Sequence, residues 1–238
     1  MSFLSSLREL PRPWRTDLKW SVCLVIIAIG FSAGFLASAI YGMVAGDHAS
    51  LSIGACFNIA ALGCAVGCLA VVTPRGGLAA KLGIRRPTAA DGRAILSGLF
   101  AVYVFNIVTL PAWGWLLRRL DIAFVEKQSL LELCAGATVP QFIGLLLLVA
   151  VVIPVGEELF FRRLLFGALL PIGTVGAILL SALIFGIAHW FIYGIWALTF
   201  FGAVLQLLYL RTGNLLTSIF AHAAFNLVSL CAAFFLGT

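Results

Sequence analysis

Long apolar runs alternate with short polar joints along this chain. A helix that crosses a hydrocarbon layer needs about 20 apolar residues at about 1.5 Å rise each. Seven runs meet or approach that length: Trp20–Val44, Leu51–Val72, Ala94–Leu117, Gln141–Leu170, Val175–Trp190, Ile192–Leu210 and Leu215–Leu236. The fourth is long enough to tilt or protrude. The fifth is short and ends close to the start of the sixth. The pattern predicts an all-α, polytopic membrane bundle of about seven transmembrane helices. An eighth would come from a re-entrant segment within Glu126–Thr138. Gly76, Gly77 and Pro87 punctuate the joint after the second run, where an interfacial amphipathic helix is expected within Leu78–Ile95. There is no internal repeat or low-complexity linker. The chain reads as one domain in two parts: residues 1–140 supply N-terminal membrane helices and basic segments, and residues 141–238 supply a helical core.

Composition sharpens this picture. Of the 238 residues, 63% are hydrophobic and only 10% are charged. A soluble domain carries about 25% charged residues, so this chain cannot clothe itself for water. The net charge of +6 would raise nucleic acid as a partner in a soluble protein. Here the basic residues sit in the joints and read as topology signals facing anionic lipid. Membrane lipid is the expected partner, and nucleic acid is not. Arg8, Arg12, Arg15 and Lys19 precede the first run, and Arg75, Lys81, Arg85, Arg86 and Arg93 follow the second. Both segments are expected in the cytoplasm. That makes the N-terminus cytoplasmic and places the C-terminus outside, in an integral protein of a bacterial plasma membrane. The six cysteines form no Cys-x-x-Cys pair and read as small membrane-buried side chains.

Past Pro140 only Glu157, Glu158, Arg162, Arg163 and Arg211 are charged, and His189 and His222 lie in the same stretch. Ionisable groups at membrane depth are costly and point to function. Glu158 and Arg162 are four apart, in the favourable order for an ion pair on one helix face. Glu157 is turned away by about 100°, which leaves its carboxylate available to another neighbour. Salt bridging of both acids near a helix end would be the purely structural account. Ser181, Phe185 and His189 form a stripe of four-residue spacing, in which Phe185 can pack on the imidazole. Ser218, His222 and Asn226 form a second. A satisfied buried histidine near a membrane interface would explain the first stripe alone, and buried polar glue between helices the second. Counting from a turn at Pro171–Thr174, Glu157 and His189 fall at one height to within about one turn, whereas Asn226 falls roughly 10 Å below His189 if the helices are straight.

Together the motifs resemble the CPBP family, the CAAX-processing and bacteriocin-processing intramembrane proteases also called the ABI family. That family carries Glu-Glu-x-x-x-Arg, Phe-x-x-x-His and His-x-x-x-Asn on successive membrane helices. Here they stand as Glu157-Glu158-Leu159-Phe160-Phe161-Arg162, Phe185-Gly186-Ile187-Ala188-His189 and His222-Ala223-Ala224-Phe225-Asn226. The resemblance covers roughly Gln141 to Leu236, with Arg163 departing from the glycine often found there. It implies an intramembrane endopeptidase in which Glu157 is the general base and His189 holds the same water. His222 and Asn226 would stabilise the oxyanion, and Glu158, Arg162 and Phe185 would support them. Glu157, His189 and His222 also resemble a two-histidine, one-carboxylate ligand set, which leaves open a divalent metal such as zinc as cofactor. The implied partner is a peptide or protein substrate that is prenylated, secreted as a precursor or membrane-anchored. Two other classes stay open: a non-catalytic immunity or scaffold protein, and a small proton-coupled transporter.

Overall fold

The computed structural model describes residues 83–189 and 191–237. The predicted spans Trp20–Val44 and Leu51–Val72 lie outside the described residues, as do Cys23, Cys56, Cys64 and Cys68. Among the described residues the protein is all helix, with no strand. There are six helices: α1 (Ala89–Arg119), α2 (Ser129–Ala135), α3 (Val139–Ile172), α4 (Thr174–Ala188), α5 (Ile195–Thr212) and α6 (Leu215–Leu236). Four of them, α1, α3, α5 and α6, are long and apolar enough to cross a membrane, and α4 is apolar but shorter. The Glu126–Thr138 stretch, where a re-entrant segment would have supplied an eighth span, holds the seven-residue α2. The expected count of seven spans therefore stands only in its described part.

The helix ends follow from local chemistry. Thr88 caps α1, and the Asp91 side chain reaches back to the Thr88 N–H, so two groups at the helix start are satisfied reciprocally. Gly213 takes a left-handed conformation (φ 63°) that stops α5, and Asn214 then caps α6 by accepting the Leu216 N–H. The joint is tight because Gly83 lies directly against the Gly213 carbonyl, where a side chain could not fit. The expected amphipathic helix in Leu78–Ile95 is not formed over its described part. Residues 84–88 are non-helical, and the helix from Ala89 is α1 itself. The reason is a competing polar network. Arg85 makes a bidentate pair with Asp91 (2.7 and 2.8 Å), and its backbone carbonyl accepts from Asn214 Nδ2 (3.2 Å). The segment is thereby held straight onto the α5–α6 joint. The carboxylate of Asp91 keeps the exposed Arg85 guanidinium protonated still more firmly than usual.

α1 packs against both α5 and α6, with Phe105 stacked on Phe200 (4.0 Å) and Tyr103 on Phe225 (5.7 Å). α4 packs along α5, and α6 runs along the first half of α3. The closest approach of α4 to α5 is at Gly186, where the Thr199 hydroxyl occupies the space of a β-carbon. At the far end α2 rests on α6, with the Cys134 thiol donating to the Leu230 carbonyl (3.5 Å). Trp113 donates its indole N–H to the Ile192 carbonyl (2.9 Å) and so fastens the α4–α5 connection to α1. One end of the bundle thus gathers Arg85, Arg86 and Arg211 around the α5–α6 joint. The other carries Trp113, Tyr193 and Trp196, residue types favoured at a membrane interface.

α3 is not a uniform helix. Two π-helical stretches, Leu148–Val152 and Leu159–Leu165, flank the α-helical Ile153–Glu158. Such wider turns are rare and concentrate at functional sites. Here they bracket the two glutamates.

Candidate active site

Glu158 and Arg162 are fully buried and joined as the four-residue spacing predicts, with Arg162 Nε donating to Glu158 Oε2 at 2.8 Å and Nη2 to Oε1 at 3.3 Å. The guanidinium also lies 4.9 Å from the ring centre of Phe185 and 5.8 Å from that of Phe161. Aromatic faces are favourable ground for a cation that has left water. Glu158 has a second partner that sequence spacing does not reveal. His222 Nδ1 stands 3.0 Å from its Oε1. A carboxylate can only accept, so Nδ1 carries the proton and donates.

That bond fixes the tautomer of His222 and aims Nε2 elsewhere. It points at Glu157, whose Oε2 is 3.8 Å away. Glu157 is buried, and its Oε2 makes no hydrogen bond among the described residues. The two glutamates therefore divide their roles. Glu158 is consumed by Arg162 and His222, while Glu157 presents a free acceptor to the imidazole edge.

His189 is built by the same logic. It caps the end of α4, and its Nδ1 donates to the Phe185 carbonyl at 2.7 Å. This carbonyl is one of the last four of the helix, which have no partner within it. With the Nδ1 proton engaged, the lone pair of the ring is at Nε2. Phe185 touches both imidazoles, with ring centres 4.7 Å from His189 and 5.9 Å from His222. Its expected contact with His189 is present, and its contact with His222 is additional. Ser181 and Ser218, the first members of the two stripes, act as glue: they donate to the carbonyls of Phe161 (3.3 Å) and Leu205 (2.8 Å).

Asn226 stands one turn of α6 beyond His222 and donates to the Val149 carbonyl at 2.8 Å. The reason lies in α3. The Ile153 N–H, which an α-helix would give to Val149, goes instead to Leu148. The next candidate is residue 154, a proline without an N–H. The Val149 carbonyl is thus orphaned by the π turn and the proline together, and Asn226 satisfies it. Asn226→Ala is expected to cost about 1–3 kcal/mol of stability by leaving this carbonyl bare. In a Pro154→Ala background, which restores the missing N–H, the cost should shrink. Thermal melts of the four proteins in detergent form the cycle that measures this coupling.

The structure therefore brings Glu157, Glu158, Arg162, Phe185 and His222 into one cluster. His189 adjoins it through Phe185, and Asn226 is engaged one turn away. Among the described residues, no three His, Cys, Asp or Glu side chains stand together at metal-ligand spacing. Glu157 and His222 approach each other, with His189 not placed as a third ligand. Phe201 of α5 was not among the sequence candidates, yet its ring meets His222 edge-on at 5.3 Å and Phe225 at 4.4 Å. No spacing signal marks it, because it belongs to neither stripe.

Comparison with known proteins agrees with the motifs. Residues 139–228 match the family model described as type II CAAX prenyl endopeptidase Rce1-like. No curated protein and no solved structure matches the chain. The matched stretch begins with α3 and runs into α6, and it contains every glutamate, histidine and arginine of the cluster. Glu157, His189, His222 and Asn226 thus all lie within the stretch that is similar to this family.

Proposed function

We propose that the protein is an intramembrane endopeptidase that cuts a membrane-associated peptide with a water activated at Glu157. The observation that carries this reading is the unpaired Glu157 Oε2 facing His222 Nε2 at 3.8 Å in a buried site. With Nδ1–H committed to Glu158, a neutral His222 offers a lone pair at Nε2, and Glu157 offers another. Two acceptors face each other, and a water donating one O–H to each is the simplest group that satisfies both. Glu157 takes a proton as the water oxygen bonds to the scissile carbonyl carbon, and the carbonyl electron pair moves onto oxygen. Collapse re-forms the carbonyl, breaks the C–N bond and returns the proton from Glu157 to the leaving amine. His189 Nε2 holds the water from a second side. With neutral His222 accepting from the water, the second N–H of Asn226 is the donor for the oxyanion. A zinc ion on Glu157, His189 and His222 would supply Lewis-acid activation of the same water. It would require His189 to join the other two.

The substrate is a lipidated, precursor or membrane-anchored peptide. The end bearing Arg85, Arg86 and Arg211 faces the cytoplasm under the positive-inside rule. Terminal proteomics of host membranes and secreted peptides tests the proposal, comparing wild type with Glu157→Gln at equal expression. New termini that appear only with the wild type support catalysis and identify the substrate. Identical termini, with equal rescue of any host phenotype, would instead favour a scaffold or immunity role. Proton movement in proteoliposomes lost with Glu157 would favour a transporter.

A further inference from the structure

Tyr103 and Asn106 lie three residues apart on one face of α1, about 4.5 Å apart along the axis. The Tyr103 hydroxyl and the Asn106 Oδ1 are both buried, and neither makes a hydrogen bond among the described residues. Buried polar atoms are ordinarily paired, and a lipid-embedded bundle has little else to satisfy them. Two orphans on one helix face ask for a ligand that brings both a donor and an acceptor. Their position is defined by ring contacts. Tyr103 stacks on Phe225, which precedes Asn226 in the chain, and Phe225 packs on Phe201, whose ring meets His222. The pair thus faces the α1–α6 seam, two rings removed from the catalytic histidine.

We infer that Tyr103 and Asn106 hold the backbone of an extended peptide substrate several residues from the scissile bond, an assignment that rests on the protease reading above. The Tyr103 O–H donates to a peptide carbonyl, and Asn106 Oδ1 accepts a peptide N–H. An extended segment presents both groups along one edge within its two-residue repeat of about 6.8 Å. A helical segment would not, because its backbone groups are spent internally. The substrate is therefore bound as a strand, unwound from any membrane helix it came from. α1 lies outside the stretch matched by the family model.

The test uses the full-length protein in proteoliposomes. The probes are a fluorogenic peptide spanning a cleavage site found by terminal proteomics and a version trimmed to two residues on each side. Tyr103→Phe and Asn106→Leu, singly and together, are expected to raise KM for the long peptide about 5- to 30-fold. They should leave kcat within about twofold and the melting temperature unchanged or higher, because no bond within the protein is lost. The trimmed peptide should not distinguish the variants from wild type. An unchanged KM in the double variant overturns the inference, as does a lowered melting temperature with equal losses on both peptides. If Glu157→Gln cleaves as well as wild type, the protease reading fails and takes this inference with it. If Glu157→Gln is inactive and the α1 variants are normal, only this inference fails.

Discussion

Glu158→Gln is expected to cost about 3–5 kcal/mol of stability, enough to deplete folded protein from the membrane. Glu158 holds the fully buried Arg162 through two hydrogen bonds and His222 through a third. A glutamine can accept from Arg162 but brings no charge. The guanidinium would be left as an uncompensated cation in an apolar core, and most of the loss comes from that stranded charge. Arg162 already has one nitrogen, Nη1, without a hydrogen-bond partner, so no spare acceptor stands by to relieve it. The distinguishing control is the double variant Glu158→Leu/Arg162→Leu. Removing both charges should recover much of the stability, because replacing a buried ion pair with apolar groups is often neutral. Melting in detergent, followed by size-exclusion fluorescence, reads both. A double variant no more stable than Glu158→Gln would show that the cost lies in packing around His222.

The neighbouring substitution should behave in the opposite way. Glu157→Gln is expected to lower kcat by about 10²- to 10⁴-fold while leaving the melting temperature within about 2 °C of wild type. Glutamine is the same size, and the Glu157 Oε2 has no hydrogen bond in the protein to lose. What disappears is the capacity to accept a proton from water. Purified variant and wild type, assayed on one peptide beside a melting curve, separate the two glutamates cleanly. An active Glu157→Gln together with a stable but inactive Glu158→Gln would reverse the assignment.

Much of this division can be read from residue spacing, and its limits are instructive. Lipid imposes apolar runs of a fixed minimum length, so Ala94–Leu117, Gln141–Leu170, Ile192–Leu210 and Leu215–Leu236 anticipate α1, α3, α5 and α6 closely. The four-residue rule finds the Glu158–Arg162 pair because both residues ride on one helix. It cannot find the Glu158–His222 bond, which joins residues 64 positions apart through the packing of α6 on α3. Phe201 escaped for the same reason. Asn226 was hard to place because straight α-helices were assumed. The π turns alter the rise and rotation of α3 on both sides of the glutamates, and one of them, together with Pro154, orphans the Val149 carbonyl that Asn226 meets. Amphipathic character in the segment from Leu78 does not reveal the Asp91 network that captures Arg85 and holds residues 84–88 out of a helix.

The 15 residues of α4 rise about 22 Å, against a hydrocarbon layer of about 30 Å. A helix shorter than the layer would be accommodated by local thinning of the bilayer beside it. On the protease reading, hydrolysis in oil needs a supply of water, and a thinned bilayer beside a short helix would bring water nearer to His189. The same depression shortens the path by which a peptide carbonyl reaches the imidazole. Lipid thickness then becomes a reactant-supply variable for this protein, and membranes of different acyl length would set different rates for one unchanged set of side chains.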